Sequence, residues 1–294
     1  MPMESRAAQF RKMLASGRMV VAPGVYDGIT ARLTEQAGFT AAYMTGAGTS
    51  AAHGYPDFGL ITMSEMVANA RRLCDALTIP LISDIDTGYG NELNVYRTIQ
   101  EFERAGVAAV HLDDQVFPKK CGHLEDKEVI PLDDYVAKIR AAADARQSKD
   151  FTIIARTDSR AVLGFDEAIR RGNAALAAGA DMVFVEAPQT LEEVTAVPKR
   201  IQGPCMLNIV LGGKTPIVDM ATAERLGYAL TIVPGLLTRS VVEVCDAALK
   251  ELRDTGLPPA NTLKPVRQFF NRFGADAWDK RRTAYRTDKK QAAE

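Results

Sequence analysis

The chain has 294 residues, of which 47% are hydrophobic and 25% charged, with a formal net charge of -1. That length and apolar content can bury a large core, and they suit one α/β barrel better than one average domain. The near-neutral balance gives no electrostatic case for nucleic acid or an anionic membrane as partner.

The first segment, MPMESRAAQFRKMLASG, reads as a short amphipathic helix without the long apolar stretch of a signal peptide. No apolar run reaches the roughly 18 residues needed to span a bilayer, so a cytoplasmic location is the default expectation. Eight short apolar runs follow in chain order: MVVAPG near 19, FTAAYMTG near 39, IPLISDID near 79, VAAVHLDD near 107, FTIIARTD near 151, ADMVFVEA near 181, GPCMLNIV near 203 and LGYALTIVPG near 226. Three of them share one grammar, seen in EQAGFTAAYMTG, ERAGVAAVHLDDQ and LAAGADMVFVEAP. A helix ends, Ala-Gly follows, and a run of small and β-branched residues stops at polar ones. The glycine suits a left-handed helix cap, and the run suits a parallel strand buried on both faces. Helical patterns such as SEMVANARRLCDAL and FDEAIRRGNAALAAG separate most of the runs. Strand alternating with helix eight times predicts a (β/α)8 TIM-type barrel. A doubly wound open sheet is the alternative, and the absence of GxGxxG after the first strand counts against it.

Past about residue 240 the pattern is helical, through VVEVCDAALKELRDTG and PVRQFFNRFGADAWDKRRTAYRT, to a final KKQAAE expected to fray. Residues 1–294 thus read as one barrel domain with a C-terminal helical extension over about 241–294. The aromatics around Trp278 suit packing on the barrel's outside or docking on a neighbouring subunit. Cys74, Cys121, Cys205 and Cys245 are widely spaced without a CxxC pair, which gives no disulfide framework or zinc motif.

In a barrel the C-terminal strand ends share one mouth, where catalysis takes place. Here they read Thr45-Gly46, Asp84 and Asp86, Asp113 and Asp114, Arg156 and Asp158, Glu186, and Asn208. Buried charge is costly unless paired or bound to metal. Asp84 and Asp86, two apart on a strand, point to one side and would repel without a cation. Hard oxygen ligands suit Mg²⁺, or Mn²⁺. The alternative is that one acid caps a helix while the other pairs with Arg156. The Arg156 fork suits a carboxylate or phosphate, or a structural ion pair with Glu186. Asn208 offers a donor to substrate or serves a turn. The glycines of TGAG at 45–48 let backbone N–H groups approach an anion, and Tyr43 shares a face with Thr45 or packs the core. In FPKKCGHLED a thiol sits among two lysines and a histidine. Taken by itself that run is surface charge around a small apolar residue.

The segments ISDIDTGYGN, HLDDQVFPKKCGH, IIARTD, FVEAP and LNIVLGGKTP occur in this order. Together they resemble the isocitrate lyase / phosphoenolpyruvate mutase superfamily over about residues 10–255, with KKCGH pointing to its lyase branch (isocitrate, 2-methylisocitrate and 2,3-dimethylmalate lyases). The resemblance implies a Mg²⁺-dependent carbon–carbon lyase. It would split a 2-hydroxy di- or tricarboxylate into a 2-oxo acid and a carboxylic acid, on a barrel whose extra C-terminal helices can exchange within a homo-tetramer. It implies Cys121 as general acid, with Lys119, Lys120 and His123 tuning it and Gly122 letting the loop close. Asp84, Asp86, Asp57 and Asp113 become the metal set, with Asp57 acting through water. Thr45, Gly46, Ala47, Arg156, Glu186 and Asn208 become substrate-binding, and Tyr43 or the substrate hydroxyl's own acidity supplies the base function. Four features depart from the pattern: Asp113 for the usual Glu, Leu211 for a Glu, a shorter loop holding His53, and VPGLLTRS after strand eight. Three rivals stay open: an oxaloacetate hydrolase or decarboxylase, a phosphonate mutase or hydrolase, which the cysteine opposes, and a barrel that only binds.

Overall fold

A computed structural model describes residues 4–260 and 265–291. The chain divides into two compact units, Met1–Arg239 and Ser240–Glu294. In the first, eight parallel strands pair in sequence order and close on themselves, β8 returning to β1. They are β1 (Val20–Val25), β2 (Ala42–Met44), β3 (Leu81–Asp84), β4 (Ala109–Leu112), β5 (Thr152–Thr157), β6 (Met182–Val185), β7 (Cys205–Asn208) and β8 (Leu230–Val233). Seven of the eight apolar runs contain one of these strands and the first, at 19–24, covers all of β1 but Val25, so the barrel forms and the open doubly wound sheet does not.

Helix α1 (Arg6–Ala15) precedes β1. The crossovers are α2 (Gly28–Gln36), α3 (Gly46–Ala52) with α4 (Met63–Ala76), α5 (Glu92–Arg104), α6 (Leu132–Ala145), α7 (Ser159–Val162) with α8 (Phe165–Ala177), α9 (Leu191–Arg200) and α10 (Met220–Leu226). Capping boxes at Asp27, Thr62 and Asn91 start α2, α4 and α5, meeting backbone N–H groups that a helix leaves unpaired at its N-terminus. The Ala-Gly signature does what it predicts at Gly38, Gly106 and Gly179, whose φ angles of 90°, 92° and 111° are left-handed.

Strand alternation sorts the core into layers. Val20, Ala22, Tyr43, Ile82, Ala109, Ile154, Met182, Phe184, Met206, Leu230 and Ile232 pack together as one cluster inside the barrel, and Phe10 of α1 joins them. Their neighbours along the strands, among them Leu81, Val110, Ile153, Val183 and Leu207, pack outward under the helices. The closure of β1 on β8 is tight at one point: a Cβ on Gly24 would stand 2.2 Å from the backbone oxygen of Pro234.

The second unit takes up most of α11 (Leu236–Thr255), then α12 (Val266–Asn271) and α13 (Ala275–Gln291). Within it Phe269 and Phe270 meet edge to face at 5.3 Å, and Trp278 is exposed beneath the guanidinium of Arg281. Of the segment expected to fray, residues 292–294 lie outside the described residues.

Gly24→Ala should lower stability by about 1–3 kcal/mol or more, because the clash is with backbone and cannot relax through a side chain. Urea unfolding of the two proteins measures it.

Candidate active site

The inward row of each strand continues past its apolar residues into the mouth. Ile82 leads to Asp84, Ala109 to His111 and Asp113, Ile154 to Arg156, Phe184 to Glu186, and Met206 to Asn208, each step being two residues. Asp84 and His111 are register partners across β3 and β4. A side chain that would otherwise be core thus becomes a charge buried at the rim.

Asp84 sits at the end of β3, but Asp86 lies beyond the strand with a left-handed φ of 47°. The two carboxylates therefore converge through a backbone turn, not through the strand alternation expected from their spacing. Gly46 fits beneath them: a Cβ there would stand 2.6 Å from Asp84 Oδ2 and 3.4 Å from Asp86 Oδ1. The Gly46 N–H donates to Asp84 Oδ2 at 3.3 Å. Lys119 supplies the local cation, with Nζ 2.8 Å from Asp57 Oδ1 and 2.9 Å from Asp86 Oδ1. Burial opposes the charge on Lys119, but Asp86, Asp84 and Asp57 outweigh it and hold the ammonium well above its ordinary pKa.

Burial pushes the Asp86 carboxyl up to about 6, with Lys119 only partly offsetting the repulsion from Asp84 and Asp57. Burial would also raise Asp84, yet His111 first, then Lys119 and Arg156, hold it well below the usual carboxylate range. Burial lowers His111 to about 4. At neutral pH, then, Lys119 and Arg156 keep Asp84 ionised, and His111 is a neutral partner rather than an ion-pair member. His111 Nε2 is 2.6 Å from the Tyr43 hydroxyl, whose ring stacks on the imidazole. Burial holds the Tyr43 pKa well above its ordinary value, so it is a phenol at neutral pH, and the role of base considered for it is not one the structure supports.

On the opposite side, Arg156 donates from Nε to Asp158 Oδ2 at 2.8 Å and stands 3.7 Å from Glu186. Glu186 accepts from Asn208 Nδ2 at 3.2 Å and meets His123 Nε2 at 2.8 Å. His123 Nδ1 accepts the Lys214 N–H at 3.0 Å, which places the ring proton on Nε2, facing Glu186. Burial would raise Glu186, but Arg156 and the hydrogen bonds from His123 and Asn208 hold its carboxyl low.

The loop carrying the thiol is strapped at its base. Gln115 bridges Val129 antiparallel, and the Gln115 side chain clasps Lys120 through both its N–H and its carbonyl, at 3.0 and 2.9 Å. Lys127 reaches the Gly122 carbonyl and Asp158. Gly122 leaves no room for a side chain, since a Cβ would meet Glu186 Cγ at 2.4 Å. Both lysines turn away from the thiol, Lys119 to the acids and Lys120 Nζ to the Asp126 carbonyl at 3.1 Å. His123 turns to Glu186. The expectation that this cluster tunes Cys121 is therefore corrected in part: burial raises the thiol pKa and keeps it protonated, the His123 backbone N–H pulls against it, and Asp57 and Glu186 add to the rise, with neither lysine among the causes.

The mouth encloses a cavity of about 210 Å³. Of the residues expected in the site, Tyr43, Thr45, Ala47, Asp57, Asp84, Lys119, Cys121, Gly122, His123, Arg156, Glu186 and Asn208 line it. Gly46, Asp86 and Asp113 stand behind this wall. Two of the noted departures do not line the cavity: His53 is exposed and turned to Thr49, and Leu211 is exposed while its neighbour Val210 lines it. Reading the strand ends missed His111, which looked like one more strand residue. The segment VPGLLTRS, noted as a departure from the family pattern but given no role, supplies Pro234, Gly235, Thr238 and Arg239 to the wall.

Among the described residues no three or more of His, Cys, Asp and Glu stand together as ligands for one ion, so the four acids expected to hold a metal form no direct cage. Lys119 lies between Asp57 and Asp86, and Asp113 hangs back with Oδ1 accepting the Gln115 N–H at 3.2 Å. The donors still suit a hard cation that keeps several waters and takes one or two carboxylates. Asp84 and Asp86 converge on one side of Gly46, and the buried Asp113 Oδ2 has no hydrogen-bond partner.

The profile of the phosphoenolpyruvate phosphomutase family matches residues 10–253. The chain is 44% identical to 2,3-dimethylmalate lyase of Eubacterium barkeri over 92% of its length and 94% of that protein. It is 38% identical to 2-methylisocitrate lyase of Aeropyrum pernix, over 95% and 91%. Among solved structures, oxaloacetate acetylhydrolase with 3,3-difluorooxalacetate superposes with a TM-score of 0.91 at 36% identity, covering 95% of this chain and 97% of that one. Phosphonopyruvate hydrolase complexed with oxalate and Mg²⁺ gives 0.85 at 30%, covering 96% and 98%. An eightfold barrel, a mouth of paired charges and these likenesses over nearly the whole chain agree: the chain belongs to the phosphoenolpyruvate mutase/isocitrate lyase superfamily.

Proposed function

We propose that the protein is a divalent-cation-dependent carbon–carbon lyase that splits a substituted malate or isocitrate-like 2-hydroxy acid into a 2-oxo acid and a carboxylic acid. One observation carries the reading: Cys121, its thiol held protonated by burial, lines the same small cavity as Asp84, Arg156, Glu186 and Asn208. The high identity to two named lyases supports it.

Asp84 and Asp86 would hold Mg²⁺ or Mn²⁺, with Asp57 and Asp113 acting through water. Bound there, the cation would neutralise negative charge on the substrate and make its hydroxyl more acidic. The N–H of Ala47, in the first turn of α3, offers a donor to the carboxylate beside the hydroxyl, and Arg156 offers a cation in the same cavity. Tyr43, as a phenol, donates a hydrogen bond at this end. The bond between the carbinol carbon and the next carbon breaks. The hydroxyl oxygen, made acidic, gives its proton to water in the mouth and becomes the new carbonyl, and the electron pair stays on the departing carbon beside its own carboxylate. The Cys121 S–H gives that carbon its proton and is reprotonated from solvent afterwards. The strapped loop shuts water out while the carbanion exists.

In a coupled assay with Mg²⁺, 2,3-dimethylmalate or 2-methylisocitrate should release pyruvate, both carrying a methyl on the carbinol carbon. Turnover of oxaloacetate alone would replace this reading with a hydrolase or decarboxylase. Removing divalent cations with a chelator should abolish pyruvate release, and Mg²⁺ or Mn²⁺ should restore it. Cys121→Ser should cut kcat by about 10²-fold or more while oxalate binding, read by calorimetry, persists. The wild-type rate should hold through neutral pH and fall only above the ordinary thiol range of about 8.5, since a thiolate has no proton to give. An alkaline fall that survives in Cys121→Ser would remove the thiol from the role.

A further inference from the structure

The turn after β3, DTGYG over residues 86–90, has a positive φ at four of its five positions. Gly88 and Gly90, at 81° and 150°, take such angles without strain. Asp86 at 47° and Tyr89 at 62° do not have that freedom. The strain at Asp86 has a use, since it brings that carboxylate beside Asp84. Tyr89 stands between two glycines, in a backbone that a third glycine would fit better, so its side chain must offset the strain.

The turn is clamped from the helices around it. Lys138 Nζ of α6 donates to the Thr87 carbonyl at 3.0 Å, and Thr98 Oγ1 of α5 donates to the Gly88 carbonyl at 3.2 Å. The Asp113 N–H donates to the Asp86 carbonyl at 2.9 Å, which ties the residue after β4 to the same turn.

The Tyr89 ring packs against the core beneath the helices. Its hydroxyl is buried, and among the described residues it has no hydrogen-bond partner. Burial first, then Asp86 and Asp84, hold the phenol well above its ordinary pKa against Lys119, and Asp113 adds to the rise, so the hydroxyl keeps its proton. Asp113 is in a like condition: Oδ1 takes the Gln115 N–H, and Oδ2 is buried without a partner. Two unpartnered oxygens thus belong to the cation turn and to the residue tied to it. Buried oxygens left so are costly unless something completes them. A hard divalent cation that keeps several waters brings what would, because a buried water needs two or more polar partners.

We propose that the Tyr89 hydroxyl and Asp113 Oδ2 hold one water of the cation's shell between them, which makes Tyr89 a positioning residue of the cation site. Each oxygen accepts one proton of that water and so turns the water's own oxygen toward the ion. The inference rests on the cation half of the lyase reading and does not depend on which hydroxy acid is cleaved.

The test compares wild type with Tyr89→Phe, Asp113→Asn and the double variant. Mg²⁺ affinity is measured by calorimetry on chelator-stripped protein without substrate, and stability by urea unfolding with chelator present. Tyr89→Phe keeps the ring and removes only the oxygen. It should weaken Mg²⁺ by about 10- to 100-fold, as the loss of an outer-shell partner does. With chelator present it should be as stable as wild type or more so, because an unpaired buried hydroxyl has been removed. A hydroxyl with a purely structural role predicts the reverse: stability falls and Mg²⁺ affinity holds. Asp113→Asn should also weaken Mg²⁺, and the double variant should lose little more than the worse single one, since both residues act on one water. Unchanged Mg²⁺ affinity in Tyr89→Phe, a loss of its stability in chelator, or fully additive losses in the double variant would each overturn the inference. If Mg²⁺ affinity depends on Tyr89 in this way yet wild type releases no pyruvate, the lyase reading fails and the Tyr89 assignment stands. If wild type is a lyase and Tyr89→Phe binds Mg²⁺ like wild type, the reverse holds.

Discussion

Charge held out of water governs this barrel's mouth. Asp84, Asp86, Asp114, Lys119, Lys127, Arg156, Asp158, Arg171 and Glu186 are all buried, which no chain tolerates unless each charge is compensated. The compensation is a set of interlocking pairs. Asp114 at the end of β4 accepts from Thr157 of β5 at 2.7 Å, from the Asp158 N–H at 2.8 Å and from Arg171 of α8 at 3.0 Å. Asp158 in turn holds Arg156 and Lys127. Two strands, a helix and the thiol-bearing loop are tied to one another through a single acid and its neighbours. Removing one partner would leave another buried charge alone, so the site and the fold at this end stand or fall together.

The same arithmetic divides labour inside the cavity. On one side Lys119 gathers Asp57 and Asp86, and on the other Glu186 gathers His123, Asn208 and Arg156. The thiol lines the same cavity, and both lysines are bonded elsewhere. Burial, helped by the carboxylates of Asp57 and Glu186, keeps the proton on sulfur, which is the state a donor needs. A thiol serving as nucleophile or metal ligand would call for the opposite setting.

Most of the scaffold was legible in the residues. Parallel strands buried on both faces must be short apolar runs, and Ala-Gly marked three of the helix-to-strand turns. Mouth residues at strand ends were legible for the same reason, since polar residues interrupt the runs there. What failed was geometry that spacing does not encode. The positive φ of Asp86 turned an alternation argument into the right convergence by the wrong route. The direction of Lys119, Lys120 and His123 could not be read from their adjacency to Cys121, because side-chain direction depends on partners far along the chain: Asp57, the Asp126 carbonyl and Glu186. Arg239 lay in a segment noted as a departure, yet no role was read from it because TRS after an apolar run looks like any helix start.

The uneven pairing within the cavity has an evolutionary corollary. Residues of the inner mouth cannot change one at a time, since each substitution strands a buried opposite charge. The rim at Arg239 carries no such debt, because that residue is exposed and in no ion pair among the described residues. Single substitutions there can drift to new shapes and charges while the bond-breaking apparatus stays intact. A lineage built this way would conserve its chemistry while the rim of its mouth varied.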